Sequence, residues 1–542
     1  MRAPFEFHFR AVFTQAAPDT PFMSARNHKF GLLLSVTLAG MAVLIIEITA
    51  IRMLAPFFGN SIFTISSVIG IILAALGLGY YLGGSLADRR PSAVWFFSLI
   101  VIAGFSVLLL QFLNAVLLPG IAYKLSLING PLIVSLLMFF LPAMFLAMLS
   151  PFAIALLHAR EADRGVGNAS GLVFFWSTLG SIAGSLSTGF LLIPHWGIGS
   201  IIVGVGSGLV LLGCVGLLIT RKLPKILPVG LAFLGLISGT ALRHTGTAGD
   251  RGAVFAADGL YERIVIRDVP HRNRTARILL QDRNISGGLY LDDGSMAFDY
   301  TQYFDLYRLF TPELKTALAI GGGAYNVPRS ILRDSARATV DVAEIDPSLH
   351  ALALRYFALP DDARLRNHVI DGRRFLHDTA ERYDLIFSDA YRSFISAPPH
   401  FATLEFFRLA RSKLKEDGVL IANFYGSLAP DTRATIYSVL RTMRAAFPQV
   451  YAFATVSPES EKLQNFIFVG HNASNPDQRA DLGQAAAVEF AYPMLKGVAA
   501  LELRAADALL DSHAVLTDDY APVEYYAANA IRRYDAASRS TH

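Results

Sequence analysis

Residues 318–323 read Leu-Ala-Ile-Gly-Gly-Gly, a short apolar run that ends in three glycines. An acidic residue, Glu344, follows at the end of the next apolar run, Ala338–Ala343. A glycine turn after one strand and a carboxylate after the next are typical of a βαβ unit that binds a nucleoside, because ligands bind at the carboxyl ends of the strands. The sequence therefore predicts a nucleoside-binding domain built around this turn.

The segments on either side of the turn alternate between strand and helix patterns. Together they predict an α/β doubly wound domain of the Rossmann-like, class I methyltransferase type. Upstream, short extended segments between residues 253 and 310 are separated by polar turns such as Asp292-Asp293-Gly294. They predict a small antiparallel β region that could cover the following domain. The predicted strands of the doubly wound sheet are Ala317–Ile320, Thr339–Ala343, Leu365–Ile370, Leu385–Phe387 and Val419–Phe424.

The first half of the chain has a different composition. Only 17% of the 542 residues are charged and the mean hydropathy is +0.44, whereas a soluble protein carries roughly 25% charged residues. Apolar runs long enough to cross a bilayer, about 20 residues, predict six transmembrane helices. A seventh run, near 226–242, is short and broken by Pro228 and several glycines. The six runs lie near 30–51, 62–86, 94–118, 131–157, 171–193 and 198–220.

Basic residues cluster in alternate loops between these runs. By the positive-inside rule, the N-terminus and the basic loops should face the cytoplasm. Six spans would return the C-terminal half to the cytoplasm, where a nucleoside cofactor is made, and seven would place it outside. We expect a multi-pass protein of a bacterial-type inner membrane with a cytoplasmic catalytic domain, and hence a re-entrant or interfacial 226–242 segment. The basic positions are Arg26, Lys29, Asp88-Arg89-Arg90, His158–Arg164 and Arg221–Lys225.

The composition divides the chain into five segments. The small net charge of +4, concentrated next to apolar runs, indicates the lipid bilayer as a partner and not nucleic acid. A single cysteine, Cys214, excludes a disulfide or a cysteine-based metal site within one chain. The sequence leaves open whether the protein forms a homodimer. The segments are a disordered cytoplasmic tail at 1–29, a transmembrane helical domain at 30–245, the β region at 253–310, the Rossmann-like catalytic domain at 311–480, and a C-terminal helical extension and tail at 481–542.

Two features inside the predicted spans are unusual. Glu47 lies five residues before Arg52. An ionisable group at that depth usually faces the bundle interior or a polar cavity. Glu47 could bind an amine or line a substrate path, or it could pair with Arg52 or a neighbouring helix. Small residues let helix backbones approach closely, so the glycines predict tight packing; they are Gly77, Gly79, Gly83, Gly84, Gly180, Gly184 and Gly189.

Polar residues at the strand ends carry the predicted chemistry. The turn lacks the Gly-x-Gly-x-x-Gly form, since Ala324, Tyr325 and Asn326 follow the glycines, and the chain has no Gly-Lys-Ser/Thr motif. Both facts argue against NAD and an ATP P-loop, and favour an adenosyl-sulfonium cofactor. Asp371 has an alternative role as the N-cap of a helix at 373–378. The predicted cofactor-binding residues are Gly321, Gly322, Gly323, Glu344, Asp371, Gly372 and Gln281.

The motifs at these strand ends resemble the polyamine aminopropyltransferase (spermidine synthase) family. The resembling stretches are Ala319–Gly323, Val342–Pro347, His368–Phe375, Tyr383–Ala390 and Leu516–Glu524. The membrane half resembles the variant in which that domain is fused behind a multi-pass membrane region.

The resemblance implies that an aminopropyl or related alkyl group is transferred from S-adenosylmethionine or its decarboxylated form, without a metal. Methylthioadenosine would leave if an aminopropyl group moves. It also implies that Glu344 holds the ribose, Asp371 the adenine, and Gly321–Gly323 the methionine-derived part. Asp389 would lie by the sulfonium or the acceptor amine.

Three departures from the family pattern concern the acceptor. Soluble members carry Asp where this chain has Ala324, a second acidic residue where it has Arg392, and Tyr-His-Glu where it has Tyr300-Thr301-Gln302. Polyamine transfer needs carboxylates to bind a dicationic acceptor and a base to deprotonate the attacking amine. The departures therefore argue against standard spermidine synthesis. Arg392 could bind a substrate carboxylate, such as that of undecarboxylated S-adenosylmethionine, or lie on the surface.

The candidate catalytic residues are Asp389, Tyr300 and Arg392. Three functions remain open from the sequence. The first is a membrane transferase that alkylates an amine or a lipid-like acceptor. The second is a methyltransferase or sulfonium lyase with the same cofactor. The third is a transporter or sensor that binds a nucleoside or polyamine without turnover.

Overall fold

The computed structural model describes residues 25–539 except 117, 127, 161–164, 221–251, 283, 312, 392–397, 476 and 478. Several features singled out from the sequence lie outside the described residues. They include most of the N-terminal tail, the basic segments 161–164 and 221–225, the apolar run 226–242, and Arg392.

Six long apolar helices form the first half of the described chain. Each is long and apolar enough to cross a membrane, so the six runs predicted from the sequence are confirmed as helices. Span 4 is formed by two helical segments, Gly130–Ala147 and Leu149–Arg160, and span 5 contains a π-helical turn at Thr188–Leu192. We number the helices as spans 1 to 6: Lys29–Phe58, Ile62–Arg89, Ala93–Val116, Gly130–Arg160, Gly165–His195 and Ile198–Ile219.

Glycines lie where span backbones touch. A Cβ atom added at Gly180 would overlap the carbonyl oxygen of Thr37, and one added at Gly184 would overlap that of Met41. Spans 1 and 5 therefore pack backbone to backbone. Gly79 of span 2 approaches the Met144 carbonyl of span 4 in the same way. These contacts confirm the close packing expected at Gly79, Gly180 and Gly184. Within the described structure, a Cβ atom added at Gly77 or Gly189 would meet nothing within 4 Å, so the expectation fails at those two positions.

A small four-stranded sheet follows the membrane half. Its strands pair antiparallel in the order β1-β2-β3-β4, as the sequence predicted for this region. A 3-10 helix, Asp299–Leu309, leads from it into the larger domain. The strands are β1 Ala253–Asp258, β2 Arg263–His271, β3 Arg274–Gln281 and β4 Asn284–Tyr290.

The larger domain is built on a seven-stranded sheet of order β10-β11-β9-β8-β5-β6-β7. The five strands predicted from the sequence are present and pair in parallel. The central strand β8 is buried along its whole length, as expected when helices cover both faces of a parallel sheet. The strands are β5 Thr316–Ile320, β6 Thr339–Glu344, β7 Leu365–Val369, β8 Tyr383–Ser388, β9 Leu414–Gly426, β10 Gln449–Ala454 and β11 Gln464–His471.

The last two strands were not predicted from the sequence. Strand β11 pairs antiparallel with both β9 and β10, so the sheet is mixed at this edge. The helices of the soluble half are Asn326–Asp334, Leu349–Tyr356, Gly372–Asp378, Leu404–Ser412, Ala434–Arg444, Asp507–Asp511 and Val523–Arg539.

The soluble half contacts the membrane half where span 1 ends and span 2 begins. The Arg52 guanidinium donates hydrogen bonds to the carbonyl oxygens of residues 259–261, at 2.6 Å for Gly259 and 3.0 Å for Leu260. The Ile62 backbone N–H donates to the Glu524 carboxylate at 3.1 Å. No ion pair joins Arg52 to Glu47, although both side chains lie in the described part of the chain. Arg52 therefore couples the two halves.

This contact has a consequence for membrane sidedness. Span 1 runs from Lys29 to Phe58 and span 2 returns to Arg89, so the Arg89–Arg90 loop lies at the face opposite to Arg52. Through its contact with Arg52, the soluble half lies toward the end of span 1, opposite to the Arg89–Arg90 loop. The expectation that the basic loops and the catalytic domain both face the cytoplasm stays a prediction, and the Arg52 contact is an observation that bears against it.

Candidate functional site

A cavity of about 740 Å³ lies at the carboxyl ends of β5, β6 and β8, beneath the small sheet. Parallel strands expose their carboxyl ends at a single edge, so residues far apart in sequence meet there. Apart from Arg392, which lies outside the described residues, every site residue predicted from the sequence lines this cavity. They are Gln281, Tyr300, Gly321, Gly322, Gly323, Glu344, Asp371, Gly372 and Asp389.

The glycine turn requires glycine for two physical reasons. Gly321 and Gly323 have φ angles of +89° and +51°, in the left-handed region that side chains disfavour. A Cβ atom at Gly321 would lie 3.0 Å from the Asp389 carbonyl oxygen, and one at Gly323 would overlap the Ser286 carbonyl. The turn thus lets the ends of β5, β8 and β4 approach one another around the cavity.

The Glu344 carboxylate is buried and organises the turn. One oxygen accepts the Gly322 backbone N–H at 2.7 Å, and the other accepts the Asp346 N–H at 2.8 Å. Burial raises the pKa of Glu344, while these backbone donors oppose the rise. Because each carboxylate oxygen has a second lone pair, Glu344 keeps acceptor capacity for a hydroxyl donor in the cavity.

Asp371 is the helix cap considered from the sequence and also lies at the cavity wall. It is the N-cap of the helix Gly372–Asp378 and accepts the Arg374 N–H at 2.9 Å. Its second oxygen lies 3.5 Å from Nε2 of His400, and this interaction lowers the pKa of Asp371. His400 also lines the cavity. The carboxylate is therefore held at the cavity wall as an anion.

Asp389 lies between two hydrogen-bond donors. The Asn423 side-chain N–H donates to its carboxylate at 2.9 Å, and the Tyr300 hydroxyl donates as well. Burial raises the pKa of Asp389 to about 6, although both donors oppose the rise. Burial, together with the charge of Asp389, also raises the pKa of Tyr300, which keeps that hydroxyl protonated. A carboxyl group with this pKa can accept a proton near neutral pH.

Two further acidic side chains line the cavity beside Glu344. Glu262 directly follows residues 259–261, whose carbonyl oxygens bind Arg52. Asp346 lies two residues beyond Glu344, the last residue of β6. Burial raises the pKa of Glu262 well above its ordinary value, and the nearby charges of Asp282 and Glu344 raise it further. Including Asp371 and Asp389, five carboxyl side chains line the cavity, and no Lys or Arg does so among the described residues. The site is electrostatically suited to a cation.

Three of the side chains that line the cavity have a buried oxygen without a hydrogen-bond partner within the described structure. They are Oδ1 of Asn60, Oδ2 of Asp346 and Oδ1 of Asn423. An unpaired buried polar atom is costly, so such atoms in a cavity indicate where a ligand completes the hydrogen bonding. All three atoms are acceptors. The cavity is therefore suited to a ligand rich in N–H or O–H donors.

Ala324, one of the departures noted in the sequence, is buried against the small sheet. Its backbone N–H donates to the Ser286 carbonyl at 3.0 Å, and its side chain lies under Gly287. Asn326 fixes the same contact, since its side chain exchanges hydrogen bonds of 2.9 and 3.1 Å with the Gly288 backbone. The small sheet therefore covers the glycine turn directly.

The sequence analysis did not identify several polar residues of the cavity wall, four of which supply carboxyl groups or unpaired oxygens. Asn423 interrupts the apolar run of β9, and a polar residue near the end of a buried strand was an available signal. Asp346 lies in the Val342–Pro347 motif, but it was not predicted as a residue of the site. Glu262 and Asn60 have no sequence signal, because each reaches the cavity through contacts between distant segments.

Comparisons with known proteins agree with this architecture. Residues 304–479 match the spermine/spermidine synthase domain. Polyamine aminopropyltransferase 1 of Streptomyces coelicolor is 24% identical over 450 residues, which cover 79% of this chain and 82% of that protein. Polyamine aminopropyltransferase 2 of Aquifex aeolicus is 25% identical over 453 residues, covering 78% and 85%. Both similarities are longer than the soluble half and extend into the membrane half.

A solved structure of a probable spermidine synthase from Corynebacterium glutamicum aligns with 48% of this chain and 92% of its own. The TM-score is 0.40 and the sequence identity is 19%.

Proposed function

Because residues 304–479 match the spermine/spermidine synthase domain, we propose that the chain is a membrane-integrated aminopropyltransferase that moves an aminopropyl group from decarboxylated S-adenosylmethionine to an amine. The observation that carries the proposal is the environment of Asp389. Its carboxylate faces the cavity, is hydrogen-bonded by Asn423 and Tyr300, and has a pKa raised to about 6. Such a group is ionised at neutral pH and is a competent proton acceptor.

The proposed reaction is a direct displacement. The amine nitrogen of the acceptor attacks the methylene carbon bonded to the sulfonium. A C–N bond forms, the C–S bond breaks, and methylthioadenosine leaves as a neutral thioether. The proton lost by the attacking nitrogen passes to Asp389, while Asn423 and Tyr300 hold that carboxylate in position.

The donor would lie along the edge of the large sheet. Glu344 would accept the ribose hydroxyls through its remaining lone pairs, and Asp371 with Gly372 would border the adenine. The turn Gly321–Gly323 would border the aminopropyl arm. The decarboxylated donor carries positive charge on both its sulfonium and its amine, which agrees with the five carboxyl side chains and with the lack of Lys and Arg among the described lining residues.

Undecarboxylated S-adenosylmethionine would add a carboxylate to this acidic site. Arg392 remains the candidate residue for binding that group, and it lies outside the described residues. Comparing the two donors therefore tests this part of the proposal. We expect the decarboxylated form to have the higher kcat/KM, because the described wall offers the additional carboxylate no cation.

Product analysis tests the proposed reaction. The detergent-purified full chain is incubated with each donor and a panel of amines, and nucleosides and amines are measured by mass spectrometry. We expect equal amounts of methylthioadenosine and alkylated amine. S-adenosylhomocysteine would indicate methyl transfer, methylthioadenosine without an alkylated amine would indicate sulfonium cleavage, and binding without any product would indicate a sensor or transporter. Each of the three would contradict the proposal.

A further inference from the structure

The loop that joins spans 1 and 2 has a fixed conformation. Gly59 has a φ angle of +76° and ends span 1, as is common at helix C-termini. Ser61 begins span 2 as its N-cap and accepts the Thr64 N–H at 3.4 Å. The Thr64 hydroxyl donates to the Gly59 carbonyl at 2.8 Å. Asn60, between these residues, is therefore held in one position.

Asn60 is a residue of the membrane half that lines the catalytic cavity. Its Oδ1 atom is buried and has no hydrogen-bond partner within the described structure. The contacts on both sides of it hold the loop against the soluble half. Arg52 precedes it and binds the carbonyls of residues 259–261, and Ile62 follows it and binds Glu524.

We propose that Asn60 binds the amine of the acceptor, so that the membrane half completes the catalytic site. This inference rests on the proposed function and names the substrate contact that the soluble domain alone lacks. Apart from Gln281 at the end of β3, the residues predicted to bind the donor belong to the sheet edge, whereas Asn60 lies on the opposite wall. Because Oδ1 is an unpaired acceptor, it suits the N–H groups of a primary amine.

The position of Asn60 at the end of a span admits two sources for that amine. One is a free aliphatic diamine from solution, and the other is the amine headgroup of a lipid in the adjacent leaflet. Both present the same ammonium group to the same acceptor atom. They differ in whether the amine is delivered from water or from vesicles.

Arg52 acts on the same wall as a positioning residue. It donates to the backbone of the turn that ends in Tyr261 and Glu262, and both of these residues line the cavity. Loss of Arg52 should displace this turn relative to Asn60 without removing a group that touches the substrate. We expect Arg52→Ala to raise the acceptor KM, and Arg52→Lys to restore part of the loss, since lysine keeps a donor for these carbonyls.

The test compares Asn60→Ala, Asn60→Asp and Asn129→Ala in the full chain. Asn129 is an exposed loop residue before span 4 that does not line the cavity, so it is a matched control. Each protein is assayed with 1,4-diaminobutane and, separately, with phosphatidylethanolamine vesicles. For whichever amine is alkylated, we expect Asn60→Ala to raise the acceptor KM about tenfold. Donor KM should be unchanged, Asn60→Asp should restore binding, and the control should match the unaltered chain.

The failures of the two proposals can be told apart. If the unaltered chain alkylates an amine but Asn60→Ala changes donor KM and not acceptor KM, the Asn60 proposal fails while the proposed function stands. If no amine is alkylated, the proposed function fails, and binding of both amines is measured by calorimetry. Amine binding that is lost in Asn60→Ala would still support the contact. Equal binding by both proteins, or none by the unaltered chain, would overturn it.

Discussion

The two walls of the catalytic cavity are built in different ways. The wall at the sheet edge comes from one domain, and its polar groups follow successive strands, as Glu344 follows β6 and Asp389 follows β8. The opposite wall is assembled from three distant parts of the chain: the loop at Asn60, the turn at Tyr261 and Glu262, and the hairpin at residues 281–284. The first wall depends on strand register, and the second on contacts between the membrane and soluble halves.

This difference suggests a division of roles. The sheet-edge wall carries the groups proposed to accept the proton and to bind the nucleoside, whereas the assembled wall includes Asn60 from the half that contains the six apolar helices. Changes at the sheet edge should alter chemistry or donor binding. Changes that separate the halves should alter how the acceptor is bound and which membrane face the site occupies.

The largest expected effect concerns the membrane face on which the soluble half lies, because labelling from one side or the other is an all-or-none result. In a Cys214→Ser background, single cysteines are introduced by Asp88→Cys, exposed in the last turn of span 2, and by Glu459→Cys, exposed on the soluble half. A membrane-impermeant maleimide is added to sealed vesicles of known orientation. We expect the two cysteines to be labelled from opposite sides, because Arg52 holds the soluble half at the far end of span 1.

Labelling from the same side would contradict the docking of the two halves described above. Labelling of Glu459→Cys from the cytoplasmic side alone would give the catalytic domain direct access to a cytosolic donor. Labelling from the outer side alone would agree with the positive-inside rule and would require the donor to be delivered to that face.

The next largest effect is expected from Asp389→Asn. The amide cannot accept the proton of the attacking amine, so kcat should fall about 10²- to 10⁴-fold, the usual contribution of a positioned base. Donor affinity, measured by calorimetry, should stay within about twofold, since the size and hydrogen bonds of the side chain are largely kept. Asp361→Asn, an exposed carboxylate outside the cavity, is the control and should leave kcat unchanged. Equal loss of donor binding and turnover would contradict a catalytic role.

The sequence predicts the sheet-edge wall of the cavity much better than the opposite wall. Glu344 and Asp389 were found because each follows an apolar run, and parallel strands bring such ends together wherever the chain folds as a doubly wound sheet. Asn60 and Glu262 were missed because their place depends on Arg52 reaching residues 259–261, some two hundred positions away. No local pattern encodes a contact at that separation.

The same distinction between local signals and distant contacts explains which parts of the fold could be predicted from the sequence. Each of the six spans and the five parallel strands has its own hydrophobic signal, so their existence could be predicted. Strands β10 and β11 were not predicted, although each contains an apolar run that is buried in the structure. The sequence does not show that β11 pairs antiparallel with both of its neighbours. The membrane orientation stays a prediction, because charge counts describe loops and carry no information on which face the soluble half binds.

A moderate effect is expected from Glu344→Gln. Replacing one carboxylate oxygen by an amide nitrogen removes an acceptor for the Gly322 or Asp346 backbone N–H and loosens the glycine turn. Losing a charge-assisted hydrogen bond costs about 1.5–3 kcal/mol, so the donor Kd should rise roughly ten- to a hundredfold. The measurement is calorimetric titration with the donor, and Glu313→Gln, an exposed residue outside the cavity, is the control. An unchanged donor Kd would refute the ribose assignment.

The smallest expected effect is a shift in the pH profile of Tyr300→Phe. The proposed base is active when ionised, so the acidic limb of kcat/KM in the unaltered enzyme should lie at the Asp389 pKa of about 6. The Tyr300 hydroxyl stabilises the ionised form, so its removal raises the pKa of Asp389 and moves the limb to higher pH. Asn423→Leu removes the stronger donor and should move the limb further in the same direction.

A matched control for this profile is Tyr303→Phe, since Tyr303 lies on the same 3-10 helix but does not line the cavity. Its acidic limb should coincide with that of the unaltered enzyme. If Tyr300→Phe lowers the rate equally at every pH, then Tyr300 contributes through substrate contact and not through the Asp389 carboxylate. The sheet-edge wall would then resemble the opposite wall, with residues that bind the substrate directly and do not tune a neighbouring group.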